Sequence, residues 1–464
     1  MKLSVFHLSL LMLLFLSSCK TIEVLPPDKS TLQVPVKNPV ISTLNIPIEF
    51  DLTNQLKQVE NSLPMSFDGK EDHCEGVSFS YKFYRDPIDF LFRGQELNYF
   101  VDGKFSLKLN YCPKCHELWD GGSCTVPRVY ASCGVDGEGM RRVRVAYTTK
   151  INIQNNFQFK SSTDLKKFDI LDPCKITVFK YDATAEVEKQ VTEQLKKLEK
   201  DIDKQIQSID LKSQMDDVWK QLQTPLDLAG YGFLYLNPNA IAMTQPQFKN
   251  KTVYLNLSMK LAPVVQTEKT EIKPTKLPNL SEYKRGSGFD LSVDVRASYD
   301  SLSSIANAQM AGKEIDIKNK KIIVKKLRID GTQDNKMLFE MQFEGAKKGT
   351  VYLTGVPQID SVTQILTMTD LAFDVKTKSV LLKSAKWLFN DKILEMLKKY
   401  AVFDLKPVLS DAKKQVTTEL NRDLTKEVHL QGNLSEMRIN RLFLVDNALL
   451  LRTQFIGELK LKMK

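Results

Sequence analysis

The sequence predicts an α+β fold built twice, as two tandem domains. Three observations predict it. Runs with a period of two, the mark of half-buried strands, fill both halves of the chain. Each half also carries a helical apolar stripe, and the pattern that closes the first half returns after a constant shift of 202 residues. At 464 residues, 42% hydrophobic and 26% charged, the chain is globular in composition and too long for one ordinary core.

The first 18 residues hold one charge, Lys2, then an apolar run from Val5 to Leu16 and small Ser17 and Ser18. A membrane-spanning helix needs roughly twenty apolar residues, so this shorter run reads as an export signal. Leu16-Ser17-Ser18-Cys19 resembles the bacterial lipobox, which makes Cys19 the expected site of lipid attachment and places the protein in an envelope. Lys20 stands where an aspartate would retain a lipoprotein at the inner membrane in some bacteria, so the outer membrane, on its periplasmic side, is the expected location. Residues 19–39 include Pro26, Pro27, Pro35 and Pro39 and read as a tether reaching roughly 60 Å at about 3.1 Å per residue.

The first domain is expected over 40–264. Leu44, Ile46, Ile48 and Phe50 alternate as a strand before a helical Thr53 to Ser62, and strands follow at 77–84, 97–111 and 142–153. Val187, Val191, Leu195, Leu198, Ile202, Ile206 and Ile209 then recur at spacings of four and three. Continued through Met215, Val218, Trp219 and Leu222, this stripe predicts one helix from Ala183 to Gln223, about 60 Å long at about 1.5 Å per residue. Leu226, Leu228, Gly230 and the alternating Val253, Leu255, Leu257, Met259 and Leu261 close the domain.

A polar stretch with Pro274 and Pro278 reads as a linker over 265–288. The second domain, 289–464, opens like the first. Phe289, Leu291, Val293 and Val295 precede a helix from Asp300 to Met310, and strands follow at 321–329, 337–343 and 350–353. Turns such as Asp102-Gly103 and Asp330-Gly331 favour antiparallel hairpins in both halves. A shorter stripe, Val408, Ala412, Val416, Leu420 and Leu424, precedes Val428, Leu430 and Gly432, onto which the shift of 202 brings Leu226, Leu228 and Gly230.

Six cysteines follow Cys19: Cys74, Cys112, Cys115, Cys124, Cys133 and Cys174. Their number is even and an exported chain meets an oxidising compartment, so disulfides are expected, among fifteen possible pairings. Cys133 lies in a Gly-rich loop and Cys174 follows Asp172-Pro173 at a strand start, so a bridge tying loop to sheet is the favoured pair. Two other chemistries share these residues. Cys112-Pro113-Lys114-Cys115-His116 has the c-type haem spacing, and His73, Cys74, Cys112, Cys115 and Cys124 offer a zinc ligand set.

The net charge of +10 fits anionic lipid headgroups better than nucleic acid in an envelope, although solvated lysine faces account for it equally. The chain has no GxSxG elbow, HExxH pair or GxxxxGK[ST] loop, and only His73, His116 and His429 lie beyond the signal. No catalysis and no cofactor are expected.

Ser42-Thr43-Leu44-Asn45-Ile46-Pro47-Ile48, Pro173-Cys174-Lys175-Ile176 with Asp182-Ala183-Thr184, and Phe373-Asp374-Val375-Lys376-Thr377-Lys378 with Trp387-Leu388 resemble a bacterial lipoprotein family, domain of unknown function 4403. The resemblance spans nearly the whole chain after the signal, implies no activity, and does not include Cys112 to His116. The order of elements is more distantly similar to tandem tubular lipid-binding domains of the bactericidal/permeability-increasing type. That likeness implies a curved antiparallel sheet wrapped on a long amphipathic helix in each domain, with acyl chains held between. On it, Leu195, Leu198, Ile202, Ile206, Leu255 and Leu257 are candidates for the lining of a groove that binds lipid or another amphiphile. The competing expectation is a scaffold with filled cores that binds another envelope protein.

Overall fold

Alternating sequences make strands, and here the strands are long. The structure, a computed structural model, describes residues 21–22, 24–27, 40–116, 123–135, 137–176, 181–228, 232–317, 320–332, 334–384 and 391–463. The signal, Cys19 and most of the tether lie outside the described residues. Strand β1 (Ser42–Asp51) leads into helix α1 (Thr53–Ser62), then β2 (Ser66–Glu71), β3 (Gly76–Arg85), β4 (Asp89–Gly94), β5 (Glu96–Cys112), β6 (Val129–Cys133), β7 (Arg141–Ile153) and β8 (Phe159–Ile170). Helices α2 (Thr184–Gln207) and α3 (Leu211–Leu222) follow, then β9 (Pro238–Met243) and β10 (Thr252–Leu261). The second half holds β11 (Phe289–Ser298), α4 (Tyr299–Met310), β12 (Lys320–Gly331), β13 (Met337–Gly345), β14 (Gly349–Asp360) and β15 (Ile365–Phe373). It ends with α5 (Val375–Ser384), α6 (Asp391–Tyr400), α7 (Lys406–Glu419), β16 (Val428–Val445) and β17 (Ala448–Met463).

The pairings make one 18-stranded sheet from both halves and a separate six-stranded antiparallel sheet of Glu314–Ile317, β12 to β15 and Val402–Asp404. In the large sheet the ladder β2–β3–β5–β7–β8 is antiparallel throughout. β1 pairs antiparallel with β10 over its full length. In the second half, β11 pairs with β17 and β17 with β16.

The fold is therefore mostly β, with 52% of the described residues in strands and 22% in helices, which overturns the α+β expectation of a sheet wrapped on a long helix. The predicted 183–223 helix breaks in two. The Asp210 carboxylate accepts the Ser213 N–H at 2.9 Å and caps a new start, so α2 and α3 are separate. Stripe spacing survives such a break, which is why the periodicity hid it. Helix α2 buries no side chain fully and covers the edge of β8, where Glu199 accepts the Leu165 N–H at 2.7 Å and Asp203 the Thr163 N–H at 3.2 Å. It satisfies a strand edge in place of a next strand. In the second half α7 also buries nothing fully, and it ends before Leu420 and Leu424 of the predicted stripe.

The polar segment after Gln266 is extended and tied down. Trp219 Nε1 donates to Thr275 Oγ1 at 3.3 Å, the Gln223 amide donates to the Thr275 carbonyl at 3.1 Å, and the Leu280 N–H donates to Asn155 O at 2.7 Å. The N-terminal segment is tied down as well. Ile22, 2% exposed, lies in the core of the six-stranded sheet with Phe343, Val351 and Leu381, donates its N–H to Lys348 O and accepts from Thr350 N–H.

Cys133 is bonded to Cys174, the pair favoured on sequence, and Cys74–Cys115 and Cys112–Cys124 are the other bridges. Arg142 donates from its backbone and guanidinium to Asp172, which orients the Asp172-Pro173-Cys174 turn and holds the Asp172 carboxyl well below the usual carboxylate range.

Two substitutions test this frame by urea unfolding. The Asp294 carboxylate, 5% exposed, takes a bidentate pair from Arg452 at 2.7 and 2.8 Å. Arg452→Met strands that charge and is expected to cost about 3–5 kcal/mol, most of it recovered in Asp294→Asn/Arg452→Met. The Cys133–Cys174 bridge spans 41 residues and both cysteines are fully buried. Its removal as Cys133→Ala/Cys174→Ala is expected to cost about 4 kcal/mol by the loop-entropy relation.

Candidate functional site

In β3 alternate residues point to opposite sides, so Val77, Phe79, Tyr81 and Phe83 share one face while Ser78, Ser80 and Lys82 share the other. The register carries this division across the sheet. Phe67 of β2 lies opposite Phe83; Leu107, Leu109 and Tyr111 of β5 lie opposite Tyr81, Phe79 and Val77. Ala131 and Val129 of β6 continue the row opposite Leu109 and Tyr111. On the reverse side Asp68, Lys70, Ser106 and Lys108 make a polar face.

Along β5 burial falls from Phe105 and Leu107 to Tyr111. Phe105, Leu107 and Cys133 are in the core with Val143, Phe168 and Cys174, covered by Val187, Val191 and Leu195 of α2. Phe79, Phe83 and Leu109 are half-buried. At the far end Val77, Tyr111 and Val129 are 50%, 47% and 48% exposed, while Tyr81, between Phe79 and Phe83, and Phe67 on β2 are 38% and 39% exposed. The rings pack directly on backbone. A Cβ on Gly69 would meet the Tyr81 ring at 2.6 Å, and one on Gly103 the Phe83 ring at 2.6 Å and the Tyr84 carbonyl oxygen at 2.8 Å, so Gly103 has backbone as well as a ring against it. The result is a half-covered aromatic and aliphatic surface, continuous with a packed core.

The sheet under the C-terminal half of α2 is different. Tyr99 Oη and Thr149 Oγ1 are 3.2 Å apart, Thr149 and Thr163 hydroxyls 2.9 Å, and Thr163 Oγ1 donates to Asp203 Oδ1 at 2.8 Å. Tyr147 donates to the Leu195 carbonyl at 3.0 Å. Burial pushes the phenols of Tyr99 and Tyr147 up, so both stay neutral. This polar row closes the apolar face at one end.

The six candidate lining residues do not meet in one groove. Leu195 packs with the Cys133–Cys174 cluster, Leu257 is buried with Trp219 and Ile241, and Leu255 packs beside Phe92 and Phe248. Leu198 is 47% exposed, and Ile202 and Ile206 are half-buried above the hydroxyl row. Strands 77–84 and 97–111 were recognised as strands, but alternation tells which face is apolar, not whether anything covers it. The haem and zinc readings lose their thiols, since Cys112 and Cys115 each bond another cysteine, Cys124 and Cys74. Cys115 and His116 instead form a two-stranded ladder with Cys124 and Ser123.

A cleft of about 1030 Å³ opens elsewhere, where β1 meets β11 and β17. Arg441, Arg452, Gln454, Asn440, Asp290 and Glu458 line it beside Val40, Ile41, Phe289 and Ile456, so polar and apolar groups share its wall. Gln454 donates to Asp290 at 2.7 Å and accepts from Arg438 and Asn440 at 3.0 Å. Asn45 donates to Gly288 O at 3.3 Å, while its buried Oδ1 has no partner among the described residues. Arg452 and Gln454 are thus committed to neighbouring strands.

Comparison with solved structures aligns lipopolysaccharide binding protein over 92% of this chain and 99% of that one, at 10% identity and a TM-score of 0.29. P47 of Clostridium botulinum E1 aligns over 89% of this chain and 98% of that one, at 8% identity and a TM-score of 0.21. Scores this low carry no argument about function. No curated protein matches. The family described as domain of unknown function (DUF4403) matches residues 40–463, as the Ser42 to Ile48 stretch led one to expect, and the chain belongs to that family.

Proposed function

We propose that the protein is an envelope lipoprotein, held to the outer membrane on its periplasmic side through Cys19, which binds the acyl chain of a lipid or other amphiphile without catalysing its conversion. The observation that carries this reading is the graded exposure of the apolar face of β2, β3, β5 and β6, from Phe105 and Leu107 out to Val77, Tyr111 and Val129. A contiguous exposed apolar surface on a folded chain marks a binding region. Burying a chain there gains about 0.8 kcal/mol per methylene, so roughly ten carbons bind usefully with no polar contact.

The scaffold reading has its own support. Leu257 is buried with Ile46, Trp219, Ile241, Met259 and Leu261, side chains that pack on one another. The two readings separate by experiment.

Organic extraction of the protein purified from an exporting host, followed by mass spectrometry, is expected to release near-stoichiometric lipid. Repeated absence of lipid, with no binding of a fluorescent fatty acid, would leave the scaffold. Tyr111→Asp puts an anion on the open end of the face, where that side chain is already half exposed. It is expected to weaken fatty-acid binding about tenfold, because it repels the ligand's carboxylate and removes an aromatic contact, with little change in the unfolding midpoint.

A further inference from the structure

We propose that the end of the six-stranded sheet that grips Ile22 rests on an anionic membrane surface. The inference depends on the lipoprotein reading of Cys19 and adds to it which part of the protein faces the bilayer. A tether of twenty free residues would leave that face undetermined. The structure removes the freedom. Ile22 bridges to Gly349 in parallel, its side chain is 2% exposed, and a Cβ on Gly349 would lie 2.5 Å from the Ile22 Cβ and carbonyl oxygen, so the seat requires glycine there. Val24 packs on the same core, and Lys376 Nζ donates to the Pro26 carbonyl at 3.4 Å. The chain is therefore held at Ile22, Val24 and Pro26, along the start of β14 and the first turn of α5.

Cys19 precedes Ile22 by three residues, so its backbone can stand no more than about 11 Å from Ile22 even when fully extended. A diacylglyceryl group on that cysteine lies in the bilayer, which brings this end of the sheet to the headgroups. Its charge suits them. Lys320 and Lys321 open β12, Lys347 and Lys348 form the turn between β13 and β14, and Lys376 and Lys378 begin α5. The acids among them are Glu314, paired with Lys321 at 3.0 Å, Glu344, paired with Lys325 and Lys348, and Asp316 and Asp374. Lysines outnumber acids here, six to four, whereas at the opposite end of the same sheet Asp330, Asp334 and Asp360 are balanced by Arg328, Lys336 and Lys406. Anionic headgroups attract such lysines within a Debye length, about 8 Å at physiological ionic strength.

Lysine acetylation read by mass spectrometry tests the orientation on the acylated full chain. The chain is bound to vesicles of phosphatidylethanolamine and phosphatidylglycerol, and separately to phosphatidylcholine alone. On the anionic vesicles Lys347, Lys348 and Lys376 are expected to react about threefold more slowly than on the neutral ones, while Lys166 of β8 and Lys196 of α2 react alike on both. Ile22→Asp is expected to erase that selectivity with vesicle binding retained. Lys347→Glu/Lys348→Glu, at a surface turn, is expected to weaken the remaining protection at Lys376. An acylated, vesicle-bound protein with uniform reactivity, or with protection at Lys166 and Lys196, overturns the orientation alone. A chain with no lipid mass on Cys19 and no vesicle binding overturns the lipoprotein reading and this inference together.

Discussion

The placement of β1 constrains everything else in the large sheet. It runs antiparallel to β10 for ten residues, touches β11 through Thr43 and Leu44, and lies parallel to Leu461–Met463 of β17. A single strand near the start of the chain thus joins the last strand of each half. Glu49 and Lys460, which pair across this seam, are 411 residues apart in sequence. Closing a loop of that length costs entropy that the local pairings within each half do not offset, which makes the seam a high-contact-order feature of the fold. The crossing is tight. At Gly288, with φ of +61°, a Cβ would lie 2.4 Å from Gly457 O, and one on Gly457 would lie 2.3 Å from Asn433 O. Three backbones meet where no side chain fits. Because β1 leaves β11 after Leu44 and reaches β17 only at Ile48, the ladders diverge and the cleft opens between them.

Helix α2 divides its own strip of sheet into two environments. Its first half, through Val187, Val191 and Leu195, seals the core around the Cys133–Cys174 bridge. Its second half is fixed by Asp203 and Glu199 to strand-edge N–H groups and threonine hydroxyls. A carboxylate that accepts two such bonds keeps the helix from sliding, because any shift strands a buried donor. The covered part of the apolar face is thereby rigid, and its open part is left to the strands beyond the reach of the helix.

Strand positions were legible because half-buried strands write their period directly: Leu44 to Phe50 and Phe289 to Val295 fall within β1 and β11. The class was not. The stripe from Val187 to Leu222 looked like the organising helix because a 3.6-residue period continues through a three-residue interruption, and Ser208-Ile209-Asp210 gave the break only as a capping aspartate. The Cys133–Cys174 pair could be inferred from a loop and a strand start. The other two bridges join cysteines within one small region, where many pairings satisfy the same distances. The seat of Ile22 had no signal, since a lone isoleucine among prolines shows no period. The candidate face was half legible: its residues alternate, but coverage is a property of distant chain.

The polar row under α2 also sets what the apolar face can hold. From Tyr111 to Phe105 along β5 is six residues, about 20 Å at about 3.4 Å per residue. At the near end the side chains are open to solvent, and at the far end the buried Cys133–Cys174 bridge and the Thr149, Thr163 and Asp203 network close the way. An acyl chain bound as proposed would meet open apolar side chains beside Val77, Tyr111 and Leu109 and would stop where Leu107, Phe105 and Cys133 are already packed under α2. Going further would cost core contacts and then the hydroxyl and carboxylate bonds without replacing them. On the proposed reading the headgroup of such a ligand would stay at the open rim formed by Tyr111 and Val129.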